Sequence, residues 1–335
     1  MYSKIEFLTS DSIYINEVNQ FLYDWFDEKD YIISKTSGST GKPKELKLKK
    51  VYLRASARMT GDYFQFKETD NLLLSLPIFG IGGKMIIIRA IEFNCNLIVV
   101  SPQYNPLKDL KKREIKIISL VPFQVNKIIE EDKEAFSNVK NVLIGGAPVG
   151  IKLINKLKFL NTAFFETFGM TETYSHIALK NLKENAYFQL LNNITINTQN
   201  DCLQINAPHI GIQNLLTNDL INKIDESHFE WIGRKDFIIN SGGVKLQPEL
   251  IENKLEEIIT TSYFISKEKD DNFGEIVVLI IEGLTIEEQT IRKILLNKLL
   301  SYEMPKKIYF LKEFEYTNTH KINRLETLKR LKNIE

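Results

Sequence analysis

The sequence predicts an α/β protein with a large N-terminal domain of mostly parallel sheets flanked by helices, followed by a small α+β domain. The length of 335 residues fits two domains of roughly 150 residues each. Up to about residue 167, short apolar runs alternate with helical patterns, which is typical of parallel sheets covered on both faces. Over residues 186–232 polar and apolar residues alternate in short runs, which indicates a smaller antiparallel β section.

The elements of the large domain follow in chain order. Residues 13–28 are expected to form a helix, because their apolar side chains recur at steps of three and four. Strand patterns at 31–34 and 46–48 flank a Gly/Ser/Thr segment at 36–44. The alternation that follows predicts strands over 71–76, 96–100, 115–120, 141–144 and 163–167, and helices over 83–92, 106–112, 123–131 and 151–159. The antiparallel section includes strands at 195–197 and 202–205.

The two domains are predicted to span residues 1–235 and 236–335. A new α+β pattern begins after the segment 231–236, with a turn at Gly242 and Gly243. Pro248 fits the first turn of the next helix. The predicted elements of this domain are helices over 247–259 and 285–300, strands over 275–281 and 307–310, and a tail helix.

Composition excludes several classes of protein. Lys and Arg total 44 and Asp and Glu total 43, so the net charge of +1 provides no overall field for nucleic acid or an anionic membrane. The two cysteines, Cys95 and Cys202, form no CxxC motif, which argues against a zinc ribbon or a redox dithiol. The apolar run at 85–91 contains Arg89 and is far shorter than the ~20 residues of a membrane span. We therefore expect a cytoplasmic protein with no membrane span and no nucleic-acid partner.

The strongest chemical signal is the string TSGSTGKPK at positions 36–44. Small residues let the backbone approach a ligand closely, and successive N–H groups form a nest for anions. Two residues separate Gly38 from Gly41, whereas the P-loop of nucleotide triphosphatases has four between its glycines. The string therefore predicts a different phosphate loop, with contacts from Thr36, Ser37, Gly38, Ser39, Thr40, Gly41 and Lys44.

This string resembles the phosphate-binding loop of the adenylate-forming superfamily, which includes acyl- and aryl-CoA synthetases, luciferases and the adenylation domains of peptide synthetases. Four further motifs of that superfamily are matched in order by FGMTE at 168–172, TND at 217–219, GRKD at 233–236 and KINR at 321–324. The resemblance covers residues 31–330. The segments most similar to the o-succinylbenzoate–CoA ligases of menaquinone biosynthesis are 76–85, 145–149, 171–178 and 231–243.

The resemblance implies that the protein uses ATP, Mg²⁺ and CoA to activate a small carboxylic acid. The loop at 36–44 is expected to hold the β- and γ-phosphates. Adenine and ribose are expected to contact Gly145, Gly146, Ala147, Phe168, Gly169, Asp219 and Arg234.

The resemblance also implies the catalytic and moving parts. Lys321 is expected to reach the α-phosphate and the substrate carboxylate, together with Thr171 and with Glu172 as the Mg²⁺ ligand. Asp236 is the expected hinge of a mobile C-terminal domain. That motion is expected to bring the loop with Gly242 and Gly243 to the CoA tunnel.

The implied chemistry agrees with the residue types. A carboxylate attacks the α-phosphate of ATP, so two anions must meet, and cations placed there lower the barrier. No protein nucleophile is needed, which agrees with the lack of a Ser-His-Asp or Cys-His signature. The second carboxylate of o-succinylbenzoate needs a cation or several donors. Lys84, Ser175 and His176 are the candidates, although Lys84 also fits a surface lysine and His176 a buried core histidine.

The sequence departs from the superfamily pattern at several positions. Phe168 replaces Tyr, Asn218 and His320 replace Gly, and Gly80 stands where a His or bulky aromatic is common. Most of the usual first subdomain is missing before the phosphate loop, and a homodimer is one way to cover the face this exposes. Three other functions stay open: a ligase for another acid, adenylation for a carrier protein, and a catalytically silent nucleotide-binding relative.

Overall fold

The computed structural model describes residues 2–35, 45–108, 110, 113–283, 287–317 and 321–332. The predicted phosphate loop at 36–44 and His320 lie outside these residues. The described helices are α1 (Ser12–Phe26), α2 (Lys50–Phe64), α3 (Ile81–Glu92), α4 (Pro122–Asp132), α5 (Ile151–Leu157), α6 (Pro248–Leu255), α7 (Glu288–Leu296) and α8 (Arg324–Lys332). The described strands are β1 (Ile5–Phe7), β2 (Tyr31–Lys35), β3 (Glu45–Lys49), β4 (Asn71–Leu74), β5 (Asn96–Val99), β6 (Ile115–Leu120), β7 (Val139–Ile144), β8 (Ala163–Met170), β9 (Ser175–Asn181), β10 (Phe188–Leu190), β11 (Thr195–Gln199), β12 (Cys202–Ala207), β13 (Ile212–Lys223), β14 (His228–Arg234), β15 (Ile239–Ser241), β16 (Val244–Leu246), β17 (Tyr263–Asp270), β18 (Gly274–Glu282) and β19 (Lys307–Leu311).

In the described chain, twelve strands form one continuous sheet in the order β1-β5-β4-β6-β7-β8-β9-β10-β14-β13-β12-β11. Neighbours from β1 to β8 are parallel. From the β8–β9 pair onward every neighbour is antiparallel. The predicted fold class is therefore confirmed, and the antiparallel section continues the parallel sheet through β8.

Apolar side chains on both faces of the parallel half explain why helices cover it on both sides. Leu72 and Leu74 of β4 enter a core that also holds side chains of α1, α2 and α3. Leu73, between them, points to the opposite face and packs in a second core with α4 and α5. Successive strand residues alternate in direction, so the run of buried leucines needs helices on each side.

The chain after Arg234 builds a separate sheet in the order β16-β15-β18-β17, with β19 parallel to β18. Its side chains form their own cores, with Ile251 and Leu255 of α6 packed against Leu279 of β18. Within the described residues, no helix is long and apolar enough to cross a membrane.

Several elements differ from the sequence prediction. Strands β1, β9, β15, β16 and β17 and helix α2 were not predicted. Residues 106–108 form a turn where a helix was predicted to begin, and the Asn105 side chain accepts a hydrogen bond from the Leu107 N–H at 3.2 Å there. A side chain that bonds its own backbone in this way competes with helix formation.

Candidate active site

The carboxyl ends of the parallel strands open onto one deep cleft. Strands β4, β6, β7 and β8 are mutually parallel, so their ends meet at the same edge, which is where open α/β sheets bind ligands. The cleft has a volume of about 650 Å³. Most of the predicted site residues that the structure describes line it, namely Gly145, Gly146, Phe168, Gly169, Thr171, Glu172, Ser175, His176, Asp219, Arg234 and Lys321.

The loop after β7 carries the first of these residues together with a cation from the distant C-terminus. Gly146 has a φ of +93°, a conformation that favours glycine. The Lys321 side chain lies over it, since a Cβ at Gly146 would be 3.2 Å from Lys321 Cε. Burial lowers the pKa of Lys321. Residues 175 positions apart thus form one face of the cleft.

The end of β8 supplies the aromatic wall. Phe168 packs edge-on against Phe188 and Phe229, with ring centroids 5.7 and 5.1 Å away. Gly169 is needed here because a Cβ would be 2.3 Å from the Ser175 backbone oxygen. The chain then turns, so that Thr171 is buried and Glu172 is exposed at the cleft.

Strands β13 and β14 contribute an acidic and a basic side chain held in fixed positions. The Trp231 indole N–H donates to Asp219 Oδ1 at 3.0 Å, and Arg234 Nη1 lies 3.9 Å from the same oxygen. Arg234 Nη2 also donates to Asp236 at 2.6 Å, and the Asn218 amide donates to Asp236 at 3.0 Å. The predicted hinge residue is therefore tied directly to the predicted ribose-binding residues. Trp231 was not predicted to orient Asp219.

The cleft also holds a buried cation that the sequence did not identify as a site residue. Arg89 lies in the last turn of α3, is 1% exposed and lines the cleft. Its Nη2 donates to Ser175 Oγ at 3.0 Å. Burial lowers the pKa of Arg89 to about 9, which leaves the guanidinium charged at neutral pH.

His176 lies beside this arginine as a neutral ring. Its Nε2 is 3.0 Å from Thr60 Oγ1. Burial, with a contribution from the charge of Arg89, moves the pKa of His176 well below its usual value. His176 therefore lines the cleft as a hydrogen-bonding group without charge.

The predicted acyl-pocket lysine does not reach the cleft. Lys84 Nζ donates to the backbone oxygens of Ile78 and Phe79, at 2.5 and 3.0 Å, and lines a neighbouring cavity. Five residues separate Lys84 from Arg89, which turns the two side chains about 140° apart around the helix axis. In this structure Lys84 thus lies outside the cleft, and Arg89 is the cation of α3 that lines it. The role predicted for Lys84 stays a prediction.

Besides Lys84, four of the described predicted residues lie outside the cleft in this arrangement. Ala147 continues the loop beyond Gly146, and Asp236 is exposed at the junction with the second sheet. Gly242 and Gly243 form the exposed turn between β15 and β16, with φ of +55° and +84°. Lys35, the residue before the predicted phosphate loop, does line the cleft.

The acidic side chain of Glu172 at the cleft fits a magnesium ion that is held jointly with a bound substrate. No cluster of three or more His, Cys, Asp or Glu side chains able to hold a metal ion occurs in the parts of the chain that the structure describes. Mg²⁺ in nucleotide sites is commonly held by one or two carboxylates together with phosphate oxygens and water. The exposed carboxylate of Glu172 fits that mode of binding.

Comparison with known proteins identifies the family. The model of the AMP-binding enzyme family matches residues 15–199, more than half of the chain. The 2-succinylbenzoate–CoA ligase of Lactococcus lactis is 28% identical, over 90% of this chain and 72% of that protein. An acyl-CoA synthetase (AMP-forming)/AMP-acid ligase II-like protein from Dyadobacter fermentans is 32% identical with a TM-score of 0.63, covering 96% of this chain and 95% of that one. The o-succinylbenzoate CoA synthetase of Bacillus subtilis, solved with its acyl-adenylate, has a TM-score of 0.79 at 20% identity, over 88% of this chain and 68% of its own. The chain therefore belongs to the AMP-binding enzyme family and is an adenylate-forming acyl-CoA ligase.

Proposed function

We propose that the protein activates o-succinylbenzoate as its acyl-adenylate and transfers the acyl group to CoA, a step of menaquinone biosynthesis. The observation that carries this choice of acid is Arg89, a buried charge that lines the same cleft as Lys321. A substrate with two carboxylates suits a site that can offer a separate cation to each of them. Lys321 meets the carboxylate that reacts, and Arg89 meets the one that does not.

In the first half-reaction, the carboxylate oxygen bonds to the α-phosphorus of ATP and pyrophosphate leaves. Asp219 and Arg234 hold the ribose hydroxyls, and Phe168 contacts adenine. Lys321 stabilises the charge that develops between the carboxylate and the α-phosphate. Mg²⁺ at Glu172 supplies further neutralisation of the phosphates when bound. The loop at 36–44 holds the β- and γ-phosphates.

The buried environment of Arg89 supports its role as an anion-binding group. A charge that is taken out of water needs a partner, and its one described side-chain acceptor is the neutral Ser175 hydroxyl. Its Nε has no hydrogen-bond partner among the described residues. The bound carboxylate of the succinyl arm would complete this set of hydrogen bonds.

In the second half-reaction, the CoA thiol attacks the acyl carbon, its proton is lost and AMP leaves. Here the chain after Asp236 turns as a unit, so that residues 1–235 and 236–335 act as two domains. Lys321 withdraws, and Gly242 and Gly243 move to the cleft, where their lack of side chains leaves room for the pantetheine arm.

The identity of the acid substrate can be tested with a panel of acids and with the variant Arg89→Met. Pyrophosphate release measures the rate of adenylate formation in each case. We expect the wild-type protein to prefer o-succinylbenzoate over an aryl acid without the second carboxylate. Arg89→Met should raise the KM for o-succinylbenzoate by about 10- to 100-fold, the value of a hydrogen bond to a charged group, and should leave the KM for ATP unchanged. Arg89→Lys, which keeps the charge, should recover part of the loss.

Two results would contradict the proposal. One is a wild-type protein that uses both acids equally well. The other is an equal effect of Arg89→Met on the two acids, because that would assign Arg89 a role in folding alone. Efficient transfer to a carrier protein but not to CoA would support the alternative in the second step.

A further inference from the structure

Helix α5 is capped by a side chain from the other end of the chain. Glu256, directly after α6, accepts hydrogen bonds from the backbone N–H groups of Ile151 at 2.7 Å and Lys152 at 3.3 Å. The N-cap of α5 is Gly150, which has no side chain to accept them. The first N–H groups of a helix need an outside acceptor, and a carboxylate suits both their geometry and their positive partial charge.

Gly150 leaves the space that this contact occupies. A Cβ at Gly150 would be 1.8 Å from Glu256 Oε1 and 2.7 Å from Oε2. The backbone of Gly150 has φ −71° and ψ 158°, which any residue adopts. The contact with Glu256 is therefore a reason for glycine at this position, and removal of the Glu256 carboxylate takes away the three atoms that would lie nearest to an alanine Cβ.

The same segment carries the contact of Lys321. Gly146, under the Lys321 side chain, lies four residues before Gly150. Two parts of the C-terminal unit thus meet one short stretch of the large unit, and the stretch follows directly from the nucleotide-binding edge of β7.

We propose that Glu256 is a positioning residue for adenylate formation, which docks the C-terminal unit on α5 in the arrangement that brings Lys321 over Gly146. The hydrogen bonds of Glu256 must break when the unit turns for thioester formation. This inference rests on the proposed two-arrangement reaction, and it adds the contact that stabilises one arrangement over the other.

The test separates the two half-reactions in Glu256→Ala, Gly150→Ala and the double variant. Each single variant should slow adenylate formation by about 10-fold or more, the value of a hydrogen bond to a charged group. Thioester formation from preformed acyl-adenylate should be unchanged or faster, since the unit is released. Glu256→Gln should fall between wild type and Glu256→Ala, because its amide oxygen still accepts.

The double variant is the matched control. The three atoms nearest to the added Cβ all belong to the Glu256 carboxylate. Once that carboxylate is removed, the double variant should be no slower than Glu256→Ala alone. Equal loss in both half-reactions, or additive losses in the double variant, would overturn the inference.

A distance measurement distinguishes failure of this inference from failure of the proposed function. Spin labels at Phe159→Cys and Leu296→Cys occupy exposed positions in the two units, and the natural cysteines are buried. We expect one main distance in the otherwise wild-type protein and a broader distribution with Glu256→Ala or Gly150→Ala. That change in a protein without adenylation activity would support docking and reject the function. An unchanged distribution in both variants rejects docking whatever the activity.

Discussion

At the scale of single residues, Glu249 is the titratable group with the clearest consequence outside the cleft. Glu249 belongs to α6, and its carboxyl packs against β14. A Cβ at Gly233 of β14 would be 2.6 Å from Glu249 Oε2. In the described structure Oε2 has no hydrogen-bond partner. Burial, aided by the negative charge of Glu252, raises the pKa of Glu249 to about 7, although the charge of Arg324 acts in the opposite direction.

This shift predicts a loss of stability as the pH rises. The folded protein binds the Glu249 proton more tightly than the unfolded chain, so the free energy of unfolding falls as the pH passes from about 4.5 to about 7. The contribution is at most about 3 kcal/mol. Glu249→Gln should remove it, making the variant more stable than wild type at pH 8 and about equal at pH 5.

Urea unfolding of both proteins at the two pH values measures this difference. His176, which is neutral and buried, titrates in the same way in both proteins, so the comparison with wild type removes its effect. A difference in stability between variant and wild type that is the same at pH 5 and pH 8 would contradict the prediction.

The residues that the sequence predicted best are those carried by local motifs. Phe168, Asp219, Arg234 and Lys321 line one cleft in the structure, as their motif order indicated. Arg89 belongs to no such motif, yet an arginine inside the apolar run of α3 is a signal that was visible. Which face of the helix it occupies depends on packing against the sheet, and that packing decided between Lys84 and Arg89.

At the scale of elements, the start of α3 packs tightly against the loop that precedes it. A Cβ at Gly83 would be 2.4 Å from the Pro77 backbone oxygen, so this helix lies closer to the preceding loop than a side chain allows. Gly82, one residue earlier, would meet only the Leu76 side chain at 3.2 Å. Because a side chain shifts more easily than backbone, substitution by alanine should affect stability differently at Gly82 and at Gly83.

We therefore predict that Gly83→Ala destabilises the protein by about 1 to 3 kcal/mol. Gly82→Ala, with the same gain in helix propensity, should be neutral or should stabilise by up to about 1 kcal/mol. Urea unfolding gives both values. A matching effect of the two substitutions would show that the approach of α3 to the loop carries no energetic weight.

Buried strands were predictable because their apolar runs are short and lie between helical patterns, as in β4 and β6. Helix α2 was missed for two reasons. Its exposed face carries Arg54 and Arg58, and its first residue, Lys50, is the last of a run of lysines. Both arginines reach Glu92 at the end of α3, at 2.9 and 3.5 Å. Such a pairing joins residues that are more than 30 positions apart, so a local pattern does not reveal it.

At the scale of the whole molecule, the cleft combines side chains from Lys35 to Lys321. Five ordered motifs predicted that these regions meet. The motifs did not give the angle between the two units, because the contacts that set it, such as Glu256 on α5, lie outside the motifs. The predicted homodimer stays a prediction.

The arrangement in this structure is the one expected for adenylate formation, with Lys321 over Gly146 in the loop after β7. If this lysine serves that half-reaction alone, Lys321→Ala should slow pyrophosphate release by about 100-fold or more, since it removes a cation from the site of developing charge. Thioester formation from preformed acyl-adenylate should stay within about twofold of wild type, because the lysine has left the cleft in that step. Lys329→Ala, an exposed lysine of the neighbouring helix α8 that pairs only with Glu326 in the described structure, is the control and should change neither rate. Equal losses in the two half-reactions would mean that Lys321 stays at one place throughout, and the turning of the C-terminal unit would have to be abandoned.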